Sequence, residues 1–257
     1  MNLRRLRAHW DAWGREDPLW AVLTHPQKRY GGWDPETFFA TGSTQIESIM
    51  GELRRLVPNM RTSTALDFGC GVGRLTQALA VHFDHVIGVD IAPSMIASAQ
   101  RWNRHGTRCR YVVNLTDTLV GFDDGSVDLV LSLITLQHME PRYAKHYIAE
   151  FVRVTASGGL IYFQIPTDKV QVPQPPQPYQ RLKARLRAAV SDRLVFLYDD
   201  LKGIMAGAGP RMEGYGIRED EVVATIERAG ARVLQIREDD SAGPRWNSRR
   251  YCALKSE

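Results

Sequence analysis

The feature that most constrains the fold is a set of spaced glycines directly after a short apolar segment, in the sequence Ala65-Leu66-Asp67-Phe68-Gly69-Cys70-Gly71-Val72-Gly73-Arg74. Glycines at the end of a strand let the backbone approach a bound molecule closely, because no Cβ stands in the way. The dinucleotide-binding pattern G-x-G-x-x-G would need a glycine three residues after Gly71, where this chain has Arg74. Asp67 places a carboxylate beside the loop, which suits an ammonium group better than a pyrophosphate.

A second acidic residue follows the glycines and ends another apolar segment. Asp90 ends the apolar segment Ile87-Gly88-Val89-Asp90, seventeen residues after Gly73. A carboxylate at the end of the second strand can accept hydrogen bonds from the hydroxyls of a ribose. An ammonium at Asp67 and a ribose at Asp90 together imply a ligand in which an amino acid is joined to a nucleoside.

Short apolar segments alternate with helical patterns through the middle of the chain. This rhythm indicates βαβ crossovers and a mainly parallel sheet covered by helices on both faces, an α/β fold. The predicted strands are 64–68, 85–90, 110–113, 127–133, 160–165, 232–236 and 249–254, and the predicted helices are 43–56, 75–82, 93–104, 141–154 and 218–229.

The segments LDFGCGVGRLTQALA and VIGVDIAPSMIASA resemble motifs I and II of the class I S-adenosylmethionine-dependent methyltransferases. The resemblance implies a Rossmann-like seven-stranded sheet with a reversed hairpin at its end and S-adenosylmethionine as methyl donor. Asp67 would face the methionine amine and Asp90 the ribose. The family usually carries an acid after the third strand, where it meets the adenine amine. This chain has Asn114 and Leu115 there, so the resemblance implies an adenine contact from Asn114 or, as the alternative, from Asp117. The remaining donor contacts implied are Gly69, Cys70, Gly71, Gly73, Ile91, Met95, Leu115 and Leu133.

The fourth predicted strand leads into Thr135-Leu136-Gln137-His138, where this family places catalytic residues. Methyl transfer to a hydroxyl requires removal of its proton, and histidine, with an ordinary pKa near 6.5, is suited to accept it. His138 is therefore the candidate general base of an O-methyltransferase; the alternative is a histidine that only caps or packs against the next helix. The sequence has no Asn-Pro-Pro-Tyr motif, which disfavours amino-directed nucleobase methylation.

The acceptor is expected to be a sugar or a sugar-containing metabolite. Planar polar side chains beside aromatic rings are suited to bind sugars, and they occur in the loops 211–216 and 238–247. The N-terminal segment 9–42 resembles the leader of actinobacterial small-molecule and sugar O-methyltransferases, which implies that it covers the donor. The candidate acceptor contacts are Tyr30, Trp33, Phe38, Glu213, Tyr215, Arg245 and Trp246.

A divalent cation such as Mg²⁺ could be held by Asp239 and Asp240 together with Glu213 or His138, although no spacing specifies such a site. The predicted organisation is an N-terminal helical cap (1–60), a donor-binding core (61–166), a Pro-rich linker with a lid insertion after the fifth strand (167–216), and a C-terminal helix with closing strands (217–257). A basic amphipathic helix at 179–190 is either a solvated face or a contact for a homodimer or an anionic partner.

Composition excludes several other classes. The 257 residues carry 33 basic and 29 acidic side chains, a net charge of +4, which is weak support for RNA methylation. No apolar segment approaches the length of a membrane span, and no secretory signal is visible, so a cytoplasmic location is expected. The three cysteines are widely spaced and are expected to be free thiols. Alternatives to sugar O-methylation are N-methylation or phenol O-methylation of a natural product, RNA methylation, and donor binding without catalysis.

Overall fold

A seven-stranded sheet forms the centre of the computed structural model, which describes residues 2–170 and 210–256. The strand order is β3-β2-β1-β4-β5-β7-β6. Strands β1 to β5 run parallel, and β7 is antiparallel to both of its neighbours. The strands are β1 Thr64–Phe68, β2 His85–Asp90, β3 Cys109–Val113, β4 Val127–Ser132, β5 Thr155–Lys169, β6 Ala231–Asp239 and β7 Trp246–Lys255.

Helices cover both faces of the sheet, as the alternating sequence predicts. They are α1 Leu3–Glu16, α2 Pro18–Val22, α3 Pro35–Leu56, α4 Arg74–Leu79, α5 Pro93–Trp102, α6 Pro141–Val154 and α7 Glu219–Arg228, with short 3₁₀ turns at Pro26–Lys28, Gly106–Arg108 and Leu136–His138. Alternate residues of β1 point to opposite faces: Leu66 and Phe68 join the core under α6 and α7, whereas Ala65 joins the core under α3 and α4. The predicted α/β class and sheet are therefore confirmed.

The helix predicted from Ser43 begins eight residues earlier, at Pro35. Asp34 and Pro35 are its start signal. The Asp34 carboxylate accepts a hydrogen bond from the Thr37 backbone N–H at 2.9 Å, and Pro35 occupies the first helical position, where no backbone N–H is needed. The longer helix buries Phe38 completely, so this side chain belongs to the core and not to an acceptor surface.

The fifth strand also exceeds its predicted end at Ile165 and continues to Lys169. It can pass Pro166 because pairing with β7 is irregular between Pro166 and Asp168, where a backbone donor is missing. The predicted Pro-rich linker and the basic helix at 179–190 lie outside the described residues. Within residues 2–170 and 210–256, no helix is both long enough and apolar enough to cross a membrane.

The sheet order determines where a ligand site can form. β1 lies between β2 and β4, so the loops that follow these three parallel strands emerge side by side at one edge. The chain passes from β1 to β2 on one side of β1, and it later returns to β4 on the other side. A crevice therefore opens at this edge, between the two connections. The glycine loop, Asp90 and His138 all follow these strands.

Replacing the fully buried Phe151 by alanine should destabilise the fold by about 3 to 5 kcal/mol, because its ring joins α6 to the sheet through Phe68 and Phe163. Urea unfolding of Phe151→Ala measures this change. The exposed Val81, replaced by alanine, is the control and should change the free energy of unfolding by less than about 0.5 kcal/mol. Equal stability of the two variants would contradict this packing.

Candidate active site

A cavity of about 660 Å³ lies at the carboxyl ends of β1, β2 and β4. This volume is within the range of about 300 to 1,000 Å³ that is typical of small-molecule sites. One side is built by the loops that follow the strands. The other side is built by α1, by residues 21–26 and by the loop 241–245. Residues of the N-terminal helices therefore form part of the cavity wall.

The glycine loop is packed on three sides. Gly69, Gly71 and Gly73 all have positive φ, at 77°, 53° and 82°. A Cβ on Gly69 would collide with Thr135, one on Gly71 would lie 2.5 Å from a Val22 methyl, and one on Gly73 would lie 2.5 Å from the Tyr111 hydroxyl. Gly69 and Gly71 line the cavity with Cys70. Gly73 does not: it faces Tyr111, and its backbone turns the chain into α4.

The two predicted acids both line the cavity. Asp67 is buried and accepts a hydrogen bond from the Thr76 hydroxyl at 2.6 Å. Burial raises the pKa of Asp67 to about 6, against the lowering effect of Thr76. Asp90 accepts from the Gly71 backbone N–H at 2.9 Å and from the Ala92 N–H at 2.8 Å, so it also holds the glycine loop in place. Burial raises the pKa of Asp90 as well.

The third-strand position is occupied by Asn114, which lines the cavity, whereas Leu115 lies outside it and is 50% exposed. The Asn114 side-chain amide donates to the Thr118 carbonyl at 2.9 Å and to the Tyr147 hydroxyl at 3.2 Å. The N–H donors of the Asn114 side chain are therefore engaged by other groups of the protein. Ile91, Met95 and Leu133, the predicted apolar contacts, all line the cavity.

His138 lies in the 3₁₀ turn after β4 and lines the same cavity. Its Nδ1 is 2.8 Å from the Glu213 carbonyl oxygen, which can only accept a hydrogen bond, so Nδ1 carries the proton. Nε2 is then the unprotonated nitrogen, 3.4 Å from the Gln137 side-chain amide. The ring also contacts Trp10 edge-on at 5.0 Å between centroids. Burial lowers the pKa of His138, so the imidazole is neutral at pH 7.

Some of the predicted acceptor residues lie at the cavity and others do not. Arg245 lines the cavity. Glu213 positions His138 through its carbonyl, and its carboxylate accepts from the Tyr215 hydroxyl. Tyr30 is 81% exposed and Trp33 donates its indole N–H to the Leu23 carbonyl at 3.0 Å; neither lines the cavity. Trp246 also lies outside it, packed against Gly214.

The proposed cation ligands are engaged elsewhere. Asp239 is buried, and its carboxylate accepts hydrogen bonds from the Arg250 guanidinium and the Ser241 hydroxyl. Among the described residues, no group of three or more His, Cys, Asp or Glu side chains is arranged to hold a metal ion. The three cysteines are free and buried, and burial raises the pKa of each thiol.

Two features of the site have no counterpart among the residues predicted from the sequence. Ile134 has φ of 56°, a strained conformation for a β-branched residue, and its N–H donates to the buried Gln164 side chain at 3.0 Å. The apolar part of the cavity wall comes from residues far apart in sequence: Leu3, Leu6, Trp10, Leu23, Met139 and Met212. The sequence composition gives no sign of the strained backbone at Ile134. The six apolar residues come together only through tertiary packing.

Comparison with known proteins agrees with this geometry. Residues 65–159 match the model of the methyltransferase domain. Phosphoethanolamine N-methyltransferase 3 of Arabidopsis thaliana is 28% identical over 114 residues, which is 44% of this chain and 23% of that protein. Ubiquinone biosynthesis O-methyltransferase of Methylococcus capsulatus is 28% identical over 136 residues, which is 51% of this chain and 54% of that protein. The chain thus aligns with less than a quarter of the plant relative.

A solved structure extends the similarity to nearly the whole chain. Magnesium protoporphyrin IX methyltransferase of Synechocystis PCC 6803, with bound S-adenosylhomocysteine, superimposes with a TM-score of 0.62 at 17% identity, covering 99% of this chain and 100% of that one. The chain has the fold of this methyltransferase, and residues 65–159 match a methyltransferase domain; the solved structures of the Synechocystis protein hold S-adenosylhomocysteine or S-adenosylmethionine. None of these three similar proteins is named as a sugar O-methyltransferase.

The residues present fit this cofactor. A buried carboxylate, Asp67, is available for its ammonium, Asp90 is available for the ribose, and apolar side chains line the space between them.

Binding of the product S-adenosylhomocysteine should strengthen as pH rises from 5 to 7 and level off above about 7. An ammonium ligand requires ionised Asp67, whose pKa in the free protein is raised to about 6, so below that pH binding must first remove a proton. Isothermal titration calorimetry across this range measures the slope. Asp67→Asn should bind more weakly and lose the slope, whereas Asp90→Asn should bind more weakly and keep it. A wild-type affinity that is constant between pH 5 and 7 would contradict the assignment.

Proposed function

We propose that this protein is an S-adenosylmethionine-dependent O-methyltransferase of a small molecule, with His138 as the general base. The observation that carries the proposal is the hydrogen bond from His138 Nδ1 to the Glu213 carbonyl at 2.8 Å. It leaves Nε2 unprotonated inside the cavity that also contains both donor-binding acids. A neutral, oriented imidazole is what proton removal from a hydroxyl requires.

The bound cofactor supplies an electrophilic methyl group, and the chain supplies position and proton transfer. Asp67 and Asp90 hold the two polar ends of the donor, and Asn114 and Met95 bound the space for its base. His138 Nε2 accepts the proton of the acceptor hydroxyl as the oxygen takes up the methyl group. Glu213 stabilises the imidazolium that forms, because its carbonyl accepts from Nδ1.

The acceptor side of the cavity favours a hydroxyl carried on an apolar body, such as a phenol. Six apolar side chains line the cavity from α1, the segment after α2, the turn before α6 and the segment before α7: Leu3, Leu6, Trp10, Leu23, Met139 and Met212. Burying polar hydroxyls against such a surface without partners would cost free energy. An aromatic or otherwise apolar acceptor avoids this cost.

A sugar-containing metabolite is the second candidate acceptor. The loop 241–245 adds Ser241, Gly243 and Arg245 to the cavity lining, and residues of this kind are suited to bind hydroxyls. An acceptor that combines an apolar part with a sugar would use both surfaces. RNA methylation has less support, because Arg74 and Arg245 are the arginines that line the cavity among the described residues.

Transfer of labelled methyl from S-adenosylmethionine to a panel of acceptors tests the function. The panel contains simple phenols, aryl glycosides, free sugars, small amines and bulk RNA, each with magnesium and with chelator. We expect label on phenols or on aryl glycosides. Label on amines or RNA alone would overturn O-methylation, and donor binding with no transfer to any acceptor would favour a binding protein.

His138→Gln should lower kcat on the order of a hundredfold or more while the affinity for S-adenosylhomocysteine stays within about threefold. The glutamine keeps a polar side chain at this position but cannot accept a proton. The control is His146→Gln, an exposed histidine of α6, which should retain wild-type kcat. Wild-type turnover in His138→Gln would assign proton removal to another group.

A further inference from the structure

Two buried side-chain amides connect the backbone after β4 to the ring of His138. Gln164 is fully buried on β5, and Gln137 is 8% exposed in the 3₁₀ turn after β4. The Gln164 side-chain oxygen accepts from the Ile134 backbone N–H at 3.0 Å, and its amide nitrogen is 3.3 Å from the Gln137 side-chain oxygen. The Gln137 amide nitrogen is in turn 3.4 Å from His138 Nε2. This amide chain therefore ends at the nitrogen that is proposed to accept the proton.

The amide chain has a fixed direction of donation. The Ile134 N–H can only donate, so the Gln164 oxygen faces it and the Gln164 NH₂ group donates. That NH₂ group donates to the Gln137 oxygen and, at 2.5 Å, to the Ser248 hydroxyl. Because its oxygen is engaged, Gln137 directs its own NH₂ group at His138 Nε2. Neither amide can turn over without losing a hydrogen bond.

The opposite side of the imidazole gives the same assignment of protons. The Glu213 carbonyl, 2.8 Å from Nδ1, can only accept, so it requires a proton there. The Gln137 NH₂ group requires an unprotonated Nε2. The backbone holds Gln137 in this place, because its carbonyl accepts from the Tyr215 N–H at 2.8 Å. Protonation of His138 Nε2 would bring two N–H groups against each other, so Gln137 opposes formation of the imidazolium in the free protein.

We propose that Gln137 is a positioning residue that keeps His138 Nε2 unprotonated until an acceptor hydroxyl takes its place as the donor, and that Gln164 fixes the orientation of Gln137. The inference rests on the proposed function, in which His138 is the general base. It also gives the strained backbone at Ile134 a role, because this conformation directs the N–H that sets the direction of the amide chain.

Charged and titratable groups from several elements lie around the same site. They are Arg5 and His9 on α1, Glu140 before α6, Arg211, Glu213 and Tyr215 before α7, and Asp67, Asp90, Arg74 and Arg245 in the cavity wall. Burial lowers the pKa of His138, and the hydrogen bond to the Glu213 carbonyl acts in the opposite direction. None of these groups changes when residue 137 is substituted, so the effect of that substitution on the His138 pKa is measured against a constant background.

The pH profile of kcat/KM tests the inference, because its acidic limb reports the pKa of the general base in the free protein. Gln137→Glu places a carboxylate oxygen against Nε2, which favours the imidazolium and should move the midpoint up by about one pH unit or more. Gln137→Met removes the amide without adding a charge, so the midpoint should rise by a smaller amount. The matched control is Gln100→Glu, at an exposed position of α5 outside the cavity, which should keep the wild-type midpoint.

Long-range ¹H–¹⁵N NMR spectra of protein labelled at histidine show the same state without turnover. In the wild type at pH 7, His138 should carry a proton on Nδ1 and none on Nε2. In Gln137→Glu both nitrogens should be protonated at this pH. The signal is assigned by its loss in His138→Gln.

An unchanged midpoint in folded Gln137→Glu would overturn the inference, and loss of turnover in His138→Gln would show that the general base itself still stands. A wild-type ring that carries its proton on Nε2 would overturn the inference as well. Wild-type turnover in His138→Gln would instead refute the proposed function. If Gln137→Glu does not fold, the midpoint of Gln137→Met and the wild-type spectrum decide the question.

Discussion

The glycine loop after β1 is the constraint on which the rest of the site depends. Its three glycines with positive φ are enclosed by Thr135 from the loop after β4, Val22 from α2 and Tyr111 from β3, at distances that admit no side chain. Asp90 then ties the loop to β2 by accepting from the Gly71 N–H. Because the loop is held from three directions, the side chains on either side of it, Asp67 and Arg74, have defined positions in the cavity wall.

The two halves of the cavity are formed by different kinds of structural element. The donor half consists of loops that follow adjacent parallel strands, so strand order alone brings its residues together. The acceptor half consists of α1, the segment after α2 and the loops 210–216 and 241–245, which are distant in sequence. His138 lies where the halves meet: β4 delivers it, and the Glu213 carbonyl sets its tautomer.

Buried polar groups account for much of the local order near His138. Gln164 is fully buried on β5, accepts from the Ile134 N–H and donates to Ser248 and Gln137. These bonds compensate for the left-handed backbone at Ile134, which allows the chain to turn sharply out of β4. The same turn directs Thr135 toward Gly69 and carries His138 into the cavity. The catalytic candidate is thus connected to the donor loop through one strained residue.

The sequence alone determined the α/β sheet, the donor loop and both acids, because hydrophobic periodicity and glycine spacing are local signals. Asp67, Asp90, Gly69, Gly71, Met95 and His138 all line one cavity, as expected from the ends of adjacent strands. Only the tertiary structure decided the acceptor side. Tyr30, Trp33 and Trp246 had suitable chemistry but lie outside the cavity, while Trp10, Leu23 and Met212 line it. It also decided the tautomer of His138. Burial and hydrogen-bond partners depend on contacts between residues far apart in the chain, and no local pattern encodes them.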